Sequence, residues 1–261
     1  MPQTKCLIVN ADDFGQSDGI NLGIMEAFEN GIVTSASLMV RSPSAAAAAR
    51  FARSHPNLSV GLHVDLGEWA YHQGQWIALY EVVPRDDSAA VAKEVHRQFA
   101  TFRNLMDREP SHIDSHQHVH RTDPLRSVLM KIARMVKVPL RLYSNVQYCG
   151  GFYGQMADGT SLSDHISIKA LKNLLTEVVP GTTELACHPA KFVDFDSMYT
   201  AERLLELAVL CDHQIRDFLA QSRIELSSFN SVPGLIPQNG DEIRSASNYG
   251  CEIGLRRSGE I

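Results

Sequence analysis

The chain has 261 residues, which suffices for one large α/β domain or two small ones with a substantial core. Hydrophobic residues make up 44% and charged residues 21%, as is ordinary for a globular protein in water. The formal net charge is -6 and there is no long basic run, which argues against a nucleic-acid partner because phosphate binding needs clustered lysine and arginine. No apolar stretch approaches the roughly 20 residues that a membrane span needs.

The start of the chain and its cysteines predict the compartment. The first residues, MPQTKCLIVN, place a short apolar run directly after a lysine and contain neither the apolar region nor the cleavage site of a signal peptide. The five cysteines are scattered, odd in number and form no CxxC pair: Cys6, Cys149, Cys187, Cys211 and Cys251. This usage is typical of reduced, mostly buried thiols, so we expect a cytoplasmic protein.

Predicted strands and helices alternate along the chain. Strands are predicted over residues 6–10, 35–40, 59–63, 111–115, 138–142, 183–187 and 223–227. Helices are predicted over residues 19–30, 42–54, 88–106, 123–135, 167–178 and 201–220. The second of these helices is expected to have Ser42 as its N-cap and Pro43 at its first position. Seven strands in this βα rhythm predict a parallel sheet, either closed into a barrel or doubly wound.

Two long connections and the C-terminal segment interrupt this rhythm. Residues 64–87 and 143–164 are long connections that contain several aromatic residues, and connections of this length inside a compact domain are usually functional. Residues 233–261 have weak periodicity and many polar side chains. We therefore expect one domain over residues 1–232, followed by a C-terminal extension with the composition of a disordered segment.

Two adjacent aspartates directly follow the first predicted strand. Asp12 and Asp13 lie in the sequence NADDFG, and neighbouring carboxylates repel unless a cation or hydrogen-bond donors hold them together. An isolated Asp-Asp pair is more often a polar loop that caps the next helix. Its position at the end of an apolar strand favours a functional pair here.

Histidines supply the second signal. Four of the chain's 11 histidines fall within HIDSHQHVH at residues 112–120. In an extended strand His112, Asp114 and His116 would share one face, and neutral imidazole is a good ligand for divalent transition metals. The alternative is a solvated histidine-rich turn.

Three further residues are weak signals when each is taken alone. His63 closes the third predicted strand and His188 ends the sixth, and a lone histidine at such a position is more often structural. Arg141 lies near the end of the fifth strand, where it needs a carboxylate partner if it points inward and is ordinary surface if it points outward.

The joint pattern is stronger than any of its members. Six polar side chains lie at or just past the carboxyl end of a predicted strand: Asp12, Asp13, His63, His116, Arg141 and His188. In α/β barrels the active site is built on that face. Because only a closed ring brings five strand ends around one site, the pattern favours a barrel over an open sheet.

At these residues the chain resembles the YdjC-like carbohydrate deacetylases, a family that includes chitooligosaccharide and hopanoid-associated deacetylases. The matching segments are VNADDFG (9–15), NGIVTSASLMV (30–40), VGLHVDL (60–66), HIDSHQHVH (112–120) and ELACHPA (184–190). Their order and spacing cover roughly residues 5–232, which is most of the chain. The resemblance implies an α/β fold with a distorted seven-stranded, TIM-barrel-like barrel related to polysaccharide deacetylases. Residues 233–261 have no counterpart that we can place, and residues 64–87 do not match closely enough to name the sugar.

The resemblance also implies an activity and a set of roles. It implies that Asp13, His63 and His116 bind one divalent metal ion, that Asp12 is the catalytic base, and that His188 is the general acid. The implied reaction removes the acetyl group from an N-acetylated sugar and releases acetate, with Arg141 expected to hold Asp12. Imidazole-rich ligation favours Zn²⁺, whereas the family is commonly associated with Mg²⁺, so the metal stays open. The sequence leaves the sugar and a homo-oligomeric state open as well.

Two other functions compete with this hypothesis. A metal-dependent phosphoesterase on a similar barrel would use more ligands, for which His118 and His120 are available, but few basic residues lie in the motifs. A non-catalytic sugar- or metal-binding relative would be expected to lose Asp12 or His188 first, and both are present.

Overall fold

A curled parallel sheet runs through the computed structural model, which describes residues 4–232, 234 and 235. The strands of the described chain are β1 (Lys5–Phe14), β2 (Ser35–Leu38), β3 (Ser59–Val64), β4 (Gly67–His72), β5 (Gln75–Glu81), β6 (Ile113–Ser115), β7 (Gln147–Cys149), β8 (Gly181–Cys187) and β9 (Ile224–Ser227). Six strands follow the order β6-β3-β2-β1-β8-β7. The seventh, β9, pairs with the first half of β1, and β2 takes the same edge of β1 from Asn10 onward.

The predicted fold class, a seven-stranded α/β barrel, is confirmed, but one of the seven strands lies at a different place in the sequence than predicted. Residues 138–142 form no strand, and only Leu140 makes a parallel bridge, to Ile113. Pro139 has no amide hydrogen to donate, and Leu142 turns the chain with a φ of 68°. The strand that the sequence analysis missed is β7, three residues long, within the predicted connection 143–164.

The other predicted connection, 64–87, contains an antiparallel hairpin of β4 and β5. Gln73 and Gly74 form its two-residue turn with φ values of 50° and 87°. Such turns need positive φ at both central positions, which Gly74 adopts without cost. The hairpin is a separate two-stranded sheet, and every residue of β5 is exposed.

Seven α-helices of the described chain accompany the sheet. They are α1 (Asp18–Glu29), α2 (Ala45–Ser54), α3 (Ser88–Met106), α4 (Leu125–Val136), α5 (Ile168–Thr176), α6 (Ala201–Leu210) and α7 (His213–Gln221). The predicted start of α2 at Ser42 is wrong, since Ser44 is the N-cap. The predicted helix 201–220 divides in two, because the Asp212 side chain accepts a hydrogen bond from Gln214 N at 2.8 Å and begins α7.

The described chain continues past the predicted domain boundary at residue 232. Leu235 is 8% exposed and packs in a small apolar cluster with Ile8, Val146 and Phe229. The rest of the predicted extension, residues 233 and 236–261, lies outside the described residues.

Two properties of the described chain bear on its environment. Its four cysteines form no disulfide bond with one another, and Cys149 and Cys187 are buried. None of its helices is both long enough and apolar enough to cross a bilayer.

Candidate active site

The carboxyl ends of the parallel strands converge on one rim. Asp12 and Asp13 lie near the end of β1, and His63 is the penultimate residue of β3. His116 directly follows β6 and begins a short 3₁₀ helix. Arg141 and His188 complete the set of six side chains that the sequence predicted at strand ends. Each of the six lies within 4 Å of at least one other member.

An irregularity in β1 brings both aspartates to the interior. In a regular strand two adjacent side chains point to opposite faces. The pairing of β1 with β2 shifts register between Ala11 and Phe14, and Asp13 has a φ of 67°. Such a bulge re-aims side chains, and Asp12 and Asp13 are only 3% and 1% exposed. Left-handed backbone costs an L-residue about 1–2 kcal/mol, and strain of this kind is concentrated at functional sites.

Three of these residues form a compact group of potential metal ligands. Asp13, His63 and His116 each offer a ligand atom within 4.8 Å of the others. Asp13 Oδ1 lies 3.3 Å from His63 Nε2 and 3.0 Å from His116 Nδ1. With ligand bonds of about 2.1 Å, neighbouring ligand atoms are about 3.0 Å apart in an octahedron and about 3.4 Å apart in a tetrahedron. The spacing therefore fits a single divalent cation.

The surroundings of His63 support the same assignment. Its Nε2 is buried without a hydrogen-bond partner, while its Nδ1 lies 2.7 Å from Asp114 Oδ1. Metal-binding histidines usually donate a hydrogen bond from the second ring nitrogen to a partner such as a carboxylate in this way. Burial opposes protonation, yet the charge of Asp114 raises the pKa of His63 to about 10. Surroundings that favour a positive charge on the His63 ring also favour a metal cation beside it.

A second group of acidic and histidine residues is less suited to a metal. Asp12, His63 and Asp114 also offer ligand atoms within 4.8 Å of one another. However, the Arg141 guanidinium lies 2.6 Å from Asp12 and 2.8 Å from Asp114. Arg141 contacts both oxygens of Asp12 and one oxygen of Asp114, whereas Arg203 contacts only Oδ2 of Asp13 and leaves Oδ1 facing the two histidines. The group of Asp13, His63 and His116 is therefore the better candidate for a metal position.

Arg141 points inward and is shared among three carboxylates. It donates two hydrogen bonds to Asp12, at 2.6 and 2.7 Å, and two to Glu184 Oε1, at 2.8 and 2.6 Å. Burial opposes ionisation of Asp12, but the charge of Arg141 outweighs it and lowers the pKa of Asp12. Asp12 is thus held as a carboxylate in a fixed orientation.

His188 lies beside Asp12 and Glu206. Its Nε2 is 3.9 Å from Asp12 Oδ2, and its Nδ1 is 3.9 Å from Glu206 Oε1. Glu206 also accepts hydrogen bonds from His188 N and from the hydroxyl of Tyr199. The rings of Tyr153 and Tyr199 stack at 4.4 Å and meet the imidazole edge to face. Burial lowers the pKa of His188 to about 4, so the imidazole is neutral at pH 7.

The remaining histidines of the 112–120 motif lie outside the metal group. His112 is buried, shares a hydrogen bond with Ser37 at 2.9 Å and stacks on Phe229 at 3.9 Å. His118 contacts the Tyr148 hydroxyl at 3.0 Å. His120 is held by Ser115 Oγ at 2.6 Å and by the carbonyl of Arg141 at 3.2 Å.

Several site residues were missed by the sequence analysis. Arg203 donates to Asp13 Oδ2 at 2.7 Å, and Glu206 contacts His188 from the same helix, α6. Their spacing of three residues puts both on one face of α6, and both are buried. The sequence carried no signal that distinguished these charges from those of an ordinary amphipathic helix.

A cavity of about 520 Å³ is lined in part by Glu68, whose Oε2 lies 4.0 Å from Nε2 of His116 in the metal group. The hairpin contributes Glu68, Leu79 and Tyr80 to its wall, and Gln16 and Phe195 lie among the other lining residues. A second cavity of about 350 Å³ also borders the hairpin and shares Leu79. The predicted functional connection 64–87 therefore lines both spaces.

Comparisons with known proteins agree on one family. The sequence model described as "YdjC-like protein" matches residues 6–221. A carbohydrate deacetylase of Geobacillus stearothermophilus is 34% identical over 85% of this chain and 96% of its own length. A chitooligosaccharide deacetylase of Serratia marcescens is 32% identical over 87% of this chain and 99% of its own length.

Solved structures support the fold. A protein of Enterococcus faecalis, provisionally described as a cellobiose-phosphate cleavage protein, aligns with a TM-score of 0.71 and 27% identity over 87% of this chain and 98% of its own. A peptidoglycan N-acetylglucosamine deacetylase aligns with a TM-score of 0.53 and 10% identity over 86% of each chain. At that identity, the second likeness concerns the fold alone.

Proposed function

Because this chain belongs to the YdjC-like protein family, we propose that it is a metal-dependent hydrolase that removes the acetyl group from an N-acetylated sugar and releases acetate. The observation that carries the proposal is the buried group of Asp13, His63 and His116, with Asp12 and His188 directly beside it. The names of the relatives supply the substrate class, an N-acetylated carbohydrate.

Asp13, His63 and His116 would hold the cation. The chemistry that a divalent metal supplies at such a site is polarisation of the acetyl carbonyl and a lowered pKa of water. Imidazole ligands favour Zn²⁺, while a site with one carboxylate and several open positions also suits Mg²⁺. We therefore propose one divalent ion and leave the choice between these two metals to measurement.

Asp12 is the proposed general base. It is ionised, and Arg141 holds both of its oxygens, so the carboxylate cannot turn away from the site. Its neighbour Asp13 belongs to the metal group, which puts Asp12 beside the position where water would attack. A positioned base contributes about 10²–10⁴-fold to such a reaction.

His188 is the proposed proton donor to the leaving sugar nitrogen. An amine leaves poorly from an amide unless its nitrogen is protonated as the bond breaks. Since the imidazole is neutral at pH 7, it must first receive a proton, and Asp12 Oδ2 lies 3.9 Å from its Nε2. The proton that Asp12 removes from water would thus pass to His188 Nε2 and then to the leaving nitrogen.

A metal-dependent phosphoesterase fits the described site less well. His118 and His120, which could have extended the ligand set, bind other partners. Arg141 and Arg203, the buried arginines of the site, are both paired with carboxylates and so do not offer a free charge to phosphate.

The test is acetate release from N-acetylated mono- and disaccharides by metal-free protein, with and without added Zn²⁺ or Mg²⁺. We expect release only with metal, and none from His63→Ala under the same conditions. A generic phosphoester serves as the competing substrate. Phosphate release without acetate release, or acetate release that survives complete removal of metal, would contradict the proposal.

A further inference from the structure

A carboxylate outside the metal group faces one of its histidines. Glu68 lies on β4, and its Oε2 is 4.0 Å from His116 Nε2, with 13% and 9% of the two side chains exposed. His116 Nδ1 faces Asp13 Oδ1 at 3.0 Å, whereas its Nε2 is buried and has no hydrogen-bond partner. The second ring nitrogen of His116 therefore faces the carboxyl group of Glu68.

Both histidines of the metal group have a carboxyl group facing the second ring nitrogen, as a hydrogen bond at His63 and as a longer contact of 4.0 Å at His116. His63 turns Nε2 toward Asp13 and Nδ1 toward Asp114, at 2.7 Å. His116 turns Nδ1 toward Asp13 and Nε2 toward Glu68. A carboxylate behind a metal-binding histidine fixes which nitrogen carries the proton and how the ring is oriented.

Local structure holds Glu68 in this position. The pairing of β4 with β5 shifts register between Glu68 and Trp69, and a bulge of this kind re-aims the side chain. The residue after His116, Gln117, forms two hydrogen bonds with the main chain of Trp69, at 3.1 and 2.8 Å. Trp69 and Gln117 directly follow Glu68 and His116 in the sequence, so these hydrogen bonds keep the two side chains close to each other.

We propose that Glu68 is a positioning residue of the metal centre, which accepts the Nε2–H of His116 and leaves Nδ1 of that ring free to bind the metal. The inference rests on the metal centre of the proposed function. Glu68 also lines the 520 Å³ cavity, so this contact joins the metal centre to the hairpin.

The first measurement is the affinity of metal-free protein for Zn²⁺, by competition with a chelator. Glu68→Ala should bind Zn²⁺ about 10–100-fold more weakly, the usual effect of removing such a partner. Glu68→Gln should lose less, because its amide oxygen still accepts the hydrogen bond. Glu81→Ala is the matched control, because Glu81 is an exposed carboxylate of the same hairpin. The affinity of this variant for Zn²⁺ should equal that of the unmodified protein.

The second measurement is the protonation of His116 in the Zn²⁺-loaded protein, by long-range ¹H–¹⁵N NMR. We expect the metal on Nδ1 and the proton on Nε2. Binding through Nε2, or equal affinities of Glu68→Ala and Glu81→Ala, would overturn the inference. A loss as complete as that of His63→Ala would make Glu68 a direct ligand and overturn it too. If the unmodified protein bound no Zn²⁺ or Mg²⁺, the proposed metal centre itself would fail, and this inference with it.

Discussion

At the scale of single residues, the site holds more buried carboxylates than its arginines neutralise. Arg141 is shared by Asp12, Asp114 and Glu184, and the burial of Glu184 raises the pKa of that carboxyl to about 7. Asp13 is paired with Arg203, and although burial opposes its ionisation, this charge lowers its pKa well below the usual value. The excess of negative charge is what a buried cation site requires.

The two adjacent aspartates should respond differently to the same substitution. Asp12→Asn should keep the bound metal but lose at least about 10²-fold in kcat, because an amide cannot take the proton from water. Asp13→Asn should lose the metal, because the ligand oxygen loses its charge. Metal content by elemental analysis and kcat on the same preparations separate the two, with thermal unfolding as the control for folding. Loss of metal from Asp12→Asn as complete as from Asp13→Asn would reverse the roles.

At the scale of elements, the hairpin of β4 and β5 is an addition to the barrel rather than part of its sheet. It lies at the rim where the strands end, and connections at this face of α/β barrels carry specificity. Leu79 lines both cavities that border the hairpin, although 40% of its surface is exposed. We infer that the apolar side chains of β5 contact the sugar more than they stabilise the fold.

Leu79→Ala should therefore raise KM for an N-acetylated oligosaccharide and leave kcat unchanged. Loss of one apolar contact, about 1 kcal/mol, corresponds to a rise in KM of about fivefold. Leu22→Ala is the matched control, because Leu22 on α1 is 48% exposed and is not among the residues that line either cavity. Equal effects of the two substitutions, or a fall in kcat at constant KM, would remove Leu79 from substrate binding.

At the scale of the whole molecule, the curled sheet is held together by charge as well as by hydrogen bonding between strands. Leu140 forms a parallel bridge with Ile113, the first residue of β6. The next residue, Arg141, donates a hydrogen bond to Glu184 on β8. The same arginine that holds Asp12 thus connects the edge of the sheet at β6 with β8, the strand next to the opposite edge. The proposed catalytic base and two strands on opposite sides of the sheet therefore share one buried ion network.

The C-terminal boundary can be tested with two truncations. A chain that ends at Leu235 is the reference for this comparison. A chain that ends at Val232 should be less stable by about 1.5–3 kcal/mol, because it loses the buried Leu235 side chain from its contact with Ile8 and Phe229. Thermal and urea unfolding measure both. Equal stability of the two truncated chains would show that Leu235 contributes nothing and would support the predicted boundary at residue 232.

Much of the rim could be predicted from the sequence, because parallel strands end on the same face of an α/β barrel. The placement of Asp13, His63 and His116 on this rim follows from the strand that carries or directly precedes each of them. The sequence also determined the class of fold, through the alternation of apolar runs and helical patterns. Its failures were local, as at residues 138–142, where Pro139 and a left-handed Leu142 leave only a single bridge.

Only the tertiary structure decided which charges meet. Arg203 lies 190 residues from Asp13 in sequence yet donates to it at 2.7 Å, and Glu206 reaches His188 from the same helix. Periodicity reports which face of an element is buried, but it carries no information on the partner across the interior. The bulges at Asp13 and Glu68 likewise depend on strand pairing, because a register shift belongs to two strands and cannot be specified by one of them alone.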